Sequence, residues 1–540
     1  MNTDVDVLVI GAGPNGLTCA AYLARCGLKV KVVEANVESG GGLMTQEISG
    51  FKVNNHAIYM LLAEKMPPFH DLELAKYGVS FIRPSAQAAF LFNDSSFVLY
   101  SDVDRSAQSI STISAQDAET FKQLYNDFKA ACDEFIIPAT YYPPVDPLEQ
   151  IELLESSGAV GRWLNELAEL SPREVIEGYD FKDERIEASL LYLTNMFGLD
   201  LDSGGMGFLT PIYVYRLLQA ALVRGGSHQL ASALRRAIEQ YKGQIVTAQH
   251  VREIIVKDGV AKGISLANGE TISARVIISS LNPEQNFLQL IDSREVPSSL
   301  LESSTMWEWD ETSLFVANYG IVGEPPKYPL NSFADKALNV VMGIESKQDV
   351  IDHFNEAQNG KVPTGKIGHG SCPSLFDNLL AHNHLKEYGN CSVLRWECLA
   401  PYDVDWSYER QLLSERALTQ WSNYAPNLKS ANVRLNLPWS PHDIERHLPT
   451  MKRGSIKHGA YTSIQMGYNR PSDDCSSYRT PIENFYVCGA STHPGGMVLL
   501  GGGYNAANVV AHDYTFPVWW EVPEMVKEAI NNGYLPRMEG

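Results

Sequence analysis

Six residues, Gly11-Ala12-Gly13-Pro14-Asn15-Gly16, restrict the fold of this chain more than any other stretch. Before them, Val5 to Ile10 (VDVLVI) is nearly all apolar, as a strand buried on both faces of a parallel sheet must be. After them, Leu17 to Cys26 reads as a helix with small Ala20 and Ala21, and Gly27 serves as its C-cap. Leu28 to Glu34 (LKVKVVE) is the next strand. Strand, glycine turn, helix and strand make a β-α-β unit. In that setting G-x-G-x-x-G has a mechanical meaning. Gly11 permits the tight turn, Gly13 lets backbone approach a pyrophosphate, and Gly16 lets the helix pack close to the strand. Pro14 and Asn15 complete a turn whose phosphates would sit at the positive helix N-terminus. Glu34-Ala35 ends the second strand, where a carboxylate accepts both hydroxyls of an adenosine ribose. An acid there repels a 2′-phosphate, which disfavours NADP.

The choice between NAD and FAD is made elsewhere in the chain. Gly40-Gly41-Gly42 follows the ribose acid and offers more bare backbone to a long diphosphate ligand. Near the other end, Asn484 to Ala490 reads as a strand closing on Gly489. Ser491-Thr492-His493-Pro494-Gly495-Gly496 and Gly501-Gly502-Gly503-Tyr504-Asn505 follow it. Gly503 to Val510 reads as a helix whose N-terminus would stabilise an anionic reduced flavin ring. Two separated glycine sites suit FAD, the extended dinucleotide.

Between these ends the pattern changes. Ser114 to Leu201 carries helical spacing, as in Ala118-Phe121-Leu124-Phe128, with Asp146, Ser171 and Pro172 as helix starts. Gly225-Gly226-Ser227 opens a helix over Gln229 to Tyr241. Alternating segments then run from Gln244 to Ile278, with Asp258-Gly259 and Asn268-Gly269 as hairpin turns: a three-stranded meander. Further strands (Thr312 to Val322, Ser392 to Leu399) and a helix (Glu409 to Asn423) follow. The expected layout is a dinucleotide domain over 1–75, 221–290 and 476–515. It is interrupted by a substrate domain over 76–220 and 291–475, and a tail covers 516–540.

Composition narrows the function classes. Lys and Arg number 43 against 64 Asp and Glu, a net charge of −21, so a nucleic-acid partner is not expected. The opening Met1-Asn2-Thr3-Asp4-Val5-Asp6 lacks a basic stretch followed by an apolar one, so it does not read as a signal peptide. The eight cysteines are scattered without a C-x-x-C pair, which fits reduced thiols in the cytoplasm and argues against a metal cage.

The glycine motif, Glu34, Gly40-Gly41 and Thr45-Gln46-Glu47-Ile48-Ser49-Gly50-Phe51 together resemble the phytoene desaturase-like flavoproteins of the amine oxidase and glutathione-reductase-like fold group. Thr480 to Tyr486 with Gly489 to Gly496 is similar to the branch containing desaturase-type carotenoid ketolases. The resemblance implies an α/β fold: a Rossmann-like, glutathione-reductase-like FAD-binding domain with a discontinuous α+β substrate domain. It also implies that Val251 backbone meets the adenine, and that Gly489 and Gly503 to Asn505 face the diphosphate, ribityl chain and flavin. The activity implied is two-electron oxidation of an apolar or aromatic small molecule, an isoprenoid or carotenoid among them. A redox-neutral flavin isomerase and an amine oxidase are the alternatives. A non-catalytic escort protein on this fold would tend to lose Gly11, Gly13, Gly16 and Glu34, which this chain keeps.

His56 and Tyr59 follow the Gly-Phe signature where related folds pass near the flavin, and His493 lies in the second glycine loop. These three are the candidate catalytic side chains. Each has a blander reading, in which it bonds backbone or packs. No second G-x-G-x-x-G follows a strand, so no built-in NAD(P)H domain is expected. The reduced flavin is expected to pass electrons to oxygen or a quinone. Phe516-Pro517-Val518-Trp519-Trp520 is open to three uses: membrane contact, cover for a partner chain such as a second copy, or packing against its own protein.

Overall fold

The computed structural model describes residues 3–381 and 389–537, so Met1 and Asn2 lie outside the described residues. Strand β1 (Val5–Ile10) leads into helix α1 (Pro14–Arg25) and strand β2 (Val30–Val33). A hairpin of β3 (Thr45–Ile48) and β4 (Phe51–Asn54) follows, then β5 (Ala86–Leu91) and β6 (Ser96–Tyr100). A helical stretch includes α2 (Ala115–Ala131) and α3 (Glu184–Asn195). Next come α4 (His228–Gln240), β7 (Gln244–Val246), β8 (Val251–Lys257), β9 (Val260–Leu266) and β10 (Thr271–Ser279). The second half holds β11 (Thr312–Val322), β12 (Ala337–Met342), β13 (Gly368–Ser371), β14 (Cys391–Pro401), α5 (Trp406–Tyr424) and β15 (Val433–Trp439). Strand β16 (Phe485–Val487) and helix α6 (Gly501–Asp513) return to the first unit.

Two seven-stranded sheets organise these elements. In the first, the order is β8-β9-β10-β1-β2-β7, with β16 also beside β10. Its centre is parallel: β1 pairs with β2 and β10, and β10 with β16. The start of β10 pairs antiparallel with β9, so one long strand serves both the meander and the central sheet. Val7 and Val9 of β1 join the core on the helix side, whereas Leu8 and Ile10 join the core under the meander. Burial of both faces is why the strand reads as a continuous apolar run. The Asp258-Gly259 turn has positive φ at both residues (53° and 72°), as a twist-matched hairpin turn needs.

The second sheet runs β15-β11-β14-β13-β12-β5-β6. Phe315, Ala317, Trp396 and Cys398 face one side, where Trp406 and Trp421 of α5 cover them. Period-two alternation sends Leu314, Val316, Arg395 and Glu397 to the other side. The strands of the two sheets alternate along the chain.

Local signals fall close to their expected places. Asp146 caps a helix over Pro147–Ser156, and Ser171 makes a capping box with Glu174. Ala118, Phe121, Leu124 and Phe128 are all buried. Helix α1 starts at Pro14 rather than Leu17, because proline's fixed φ suits the first helical position. Helix α5 starts earlier than Glu409, where Asp405 accepts from Ser407 N. The tail aromatics turn inward. Trp519 stacks on Tyr22 with Arg25 over its ring at 3.7 Å, and the Trp520 indole donates to Asn508 at 2.6 Å. Those two rings find partners within the chain, as the packing reading of this segment expects, while Val518, between them and Phe516, is exposed. Among the described residues no helix is long and apolar enough to cross a membrane.

Candidate active site

A cavity of about 420 Å³ lies between the two sheets. Its first wall is the β-α-β unit: Gly11, Gly13, Pro14, Asn15, Glu34, Ala35, Gly41 and Gly42, with Val251, Ser280 and Gly489 from later segments. His56 and Tyr59 line it as well. The second wall is the inner face of the second sheet with neighbouring loops: Leu314, Val316, Arg395, Glu397, Ile456 and His458.

The first wall passes a direct test as a dinucleotide cradle. Gly13 has φ −74° and ψ 176°, a conformation any residue adopts, and a Cβ there would meet no protein atom within 4 Å. Neither conformation nor packing therefore demands glycine at 13, and bare backbone is left for a ligand. Gly13 also leaves α1 without a side-chain cap, so the first-turn N–H groups remain available to an anion. Gly16 differs: a Cβ there would lie 2.2 Å from the Gly11 carbonyl oxygen, so this glycine sets helix–strand distance. Glu34 is held in place by two backbone donors, Ala12 N at 2.7 Å and Asn36 N at 2.8 Å. A carboxylate has about four acceptor positions, so capacity remains for a ribose.

The C-terminal glycines divide their labour differently from expectation. Gly489, Ala490, Gly496, Met497 and Val498 face the cavity, but Gly503, Tyr504 and Asn505 do not. A Cβ on Gly503 would lie 2.1 Å from the Asn15 carbonyl oxygen, so this glycine brings α6 against the start of α1. Tyr504 packs edge-on against Tyr22 and Tyr141. The Asn505 amide donates to the carbonyls of Thr140 and Tyr142, both at 3.2 Å. The helix start is thus a packing joint, and the preceding loop meets the cavity. Val498 sits at φ 56° there, a left-handed conformation that costs a β-branched residue on the order of 1–3 kcal/mol. Gly40 is likewise a turn residue (φ 132°) outside the lining. His493 is corrected too: its Nε2 donates to the Ala139 carbonyl at 2.8 Å, outside the cavity lining, so it ties the glycine loop down.

The second wall carries charge that sequence reasoning missed. In register, Glu397 lies between Val316 and His369, and Arg395 between Asn318 and Ser371, all on one face. The Arg395 guanidinium donates to Glu397 Oε1 at 2.7 Å and to the His56 carbonyl at 2.8 Å, and also to the Asn54 carbonyl. His369 Nε2 donates to Glu397 Oε2 at 3.1 Å, and Tyr192 Oη meets His369 Nδ1 at 3.0 Å. Burial raises the pKa of Glu397, but Arg395 and His369 more than offset it, holding the carboxyl below the usual range. Burial and the Arg395 charge push His56 down to about 4. Burial, with Arg470 and His56, takes His458 down to about 3, so both rings are neutral at neutral pH. Burial raises the Tyr59 phenol, which stays protonated. The missed signal is Arg395 and Glu397 at alternate positions of an otherwise apolar strand, SVLRWECL.

This fold and this cradle define a dinucleotide-binding oxidoreductase. The family model described as flavin containing amine oxidoreductase matches residues 15–287. A component of the limonene dehydrogenase of Castellaniella defragrans is 39% identical, with 98% of each chain covered. A 4,4'-diaponeurosporene oxygenase of Staphylococcus aureus is 23% identical, covering 94% of this chain and 98% of its own. Among solved structures, cyclohexylamine oxidase from Brevibacterium oxydans superposes with a TM-score of 0.60 at 14% identity, over 95% of this chain and 100% of that one. The chain belongs to the flavin-containing amine oxidoreductases, and it is an FAD-dependent oxidoreductase.

Proposed function

We propose that this enzyme oxidises a largely apolar, terpenoid-type small molecule by two electrons, through desaturation or oxidation at carbon. The observation that carries this reading is the apolar lining beside the cradle, where Ile58, Leu61, Phe197, Leu314, Val316 and Ile456 form a wall suited to hydrocarbon. The near full-length likeness to a protein named for limonene dehydrogenase supports it. The likeness to a diaponeurosporene oxygenase supports the carotenoid-type branch more distantly.

FAD, when bound, supplies a two-electron acceptor. Gly11, Gly13 and the α1 N-terminus would hold its pyrophosphate, Glu34 its ribose, and Val251 backbone its adenine. The apolar wall orients the substrate and excludes water, which raises the effective concentration of the reacting C–H. Arg395, through the Asn54 and His56 carbonyls, fixes the segment that carries His56 and Tyr59 into the cavity. Electrons are proposed to leave to oxygen or a quinone.

The test is anaerobic mixing of the flavin-loaded enzyme with limonene, an acyclic polyene, an aromatic hydrocarbon and putrescine. Bleaching of the flavin by a terpene and not by putrescine is expected. Bleaching by the diamine alone would overturn the reading. Anaerobic product formation without bleaching would select the isomerase.

A further inference from the structure

The polar groups of the cavity gather at one end, and the apolar-substrate reading leaves them unexplained. Tyr59 is 7% exposed, and its Oη approaches Ser371 and Glu397 without a partner in hydrogen-bond geometry. His458 is 8% exposed, and its Nδ1 is likewise unpartnered. Both residues line the cavity. Arg395 bonds both Glu397 and the His56 carbonyl, and the Tyr59 ring lies 6.4 Å from that of His369, which bonds Glu397, so these groups share one end of the cavity, its polar pole. Glu397 spends one oxygen on Arg395 and the other on His369. That leaves acceptor capacity on the carboxylate. An unpaired buried polar atom costs about 1–3 kcal/mol, and such atoms at a cavity wall mark a place where a ligand completes the bonding. A purely hydrocarbon ligand would leave them all unpaired.

We propose that this pole is an oxygen subsite. Tyr59 Oη donates to a hydroxyl oxygen on the ligand, and that hydroxyl donates to Glu397, so a terpenoid alcohol binds more tightly than its parent hydrocarbon. The subsite rests on the terpenoid reading above. It adds that the cavity accepts oxygenated terpenoids, and it assigns Tyr59 as the residue that discriminates them. A hydroxyl is the group that both accepts from a phenol and donates to a carboxylate. The opposite arrangement, a site built to pair a hydroxyl and offered a hydrocarbon, is penalised by the polar groups left unpaired.

The test uses FAD-loaded enzyme reduced under argon, so that no oxidation competes with binding. Limonene, carveol and α-terpineol are titrated by calorimetry. At least one alcohol is expected to bind about 10-fold more tightly than limonene, the worth of one well-placed hydrogen bond. In Tyr59→Phe that ratio should fall several-fold, to what the bond to Glu397 alone supports, with limonene bound no less tightly than by the wild type. The variant should keep its flavin content, and its Tm should not fall, because an unpaired buried hydroxyl is removed. Equal affinity of all three ligands for the wild type would overturn the subsite alone, and would indicate water at the pole. An alcohol preference undiminished in Tyr59→Phe would also overturn it. If neither limonene nor an alcohol binds, both the subsite and the terpenoid reading fail.

Discussion

Arg395→Met removes one half of a charge pair that has no access to water. Arg395 and Glu397 are each 2% exposed, and the guanidinium also serves the Asn54 and His56 carbonyls. Methionine roughly preserves the volume of the stem, so the loss is electrostatic and not a cavity. Breaking a buried pair strands the remaining charge and costs about 3–5 kcal/mol. If the 540-residue chain melts as one unit, its unfolding entropy is on the order of 1.1 kcal/mol/K, so Tm should drop by about 3–4 °C. The pH dependence identifies the cause. In the wild type Glu397 has a depressed pKa. Its contribution is therefore full above the unfolded carboxyl pKa, about 4.3, and is lost as pH falls below it. In the variant, desolvation is unopposed by arginine and the pKa moves up, so Glu397 takes a proton on mild acidification. The deficit relative to wild type should be largest near pH 8 and shrink toward pH 5. Adding Glu397→Gln to Arg395→Met should recover most of the loss, because neither charge remains. The assay is thermal unfolding of the FAD-loaded proteins from pH 5 to 8. A deficit constant with pH, or a double variant as unstable as the two losses added, would refute the reasoning.

Other outcomes follow from the same geometry. Gly13→Val should fold with unchanged far-ultraviolet circular dichroism yet emerge colourless, since its side chain enters only ligand space. A yellow Gly13→Val protein would contradict that. Gly16→Ala should instead lose about 1–3 kcal/mol of stability by driving a methyl into the Gly11 carbonyl, seen as a lowered Tm even without flavin. Glu34→Ala should weaken FAD by about 2–4 kcal/mol, read as rising flavin loss on dialysis; full retention would count against the ribose role. His56, His458 and His493 fold as neutral rings with pKa values of about 4, 3 and 4. The unfolded chain binds more protons than the folded one between these values and 6.5, so stability is full above pH 6.5 and declines toward pH 4. A wild-type Tm that stays flat over that window, or a slope not reduced by His56→Gln, would be the contrary result.

The first wall was legible because its constraints are local. A turn that needs bare backbone must place glycines at fixed offsets, so Gly11, Gly13, Gly16 and Glu34 announce themselves within one β-α-β unit. The second wall was not legible, because it is made by register. Arg395 meets His56 backbone across hundreds of residues of chain, and His369 meets Glu397 only because β13 and β14 pair as they do. The strand around Arg395 could be read, but not the face to which its charges turn. The C-terminal glycines show the converse error. Gly503 is glycine for the same steric reason that a phosphate-binding glycine is, yet the atom approaching it is the Asn15 carbonyl. A sequence records that room is needed at a position and does not record for what.

Strand β16 has a consequence for biogenesis. It joins the parallel sheet beside β10, and the loop behind it, Gly489 to Val498, supplies the last stretch of the cradle. Until those residues leave the ribosome, the nascent polypeptide carries an open edge along β10 and a nucleotide bay with one side missing. Flavin capture therefore waits for residues 489–498. Termination before β16 leaves the β10 strand edge exposed to aggregation.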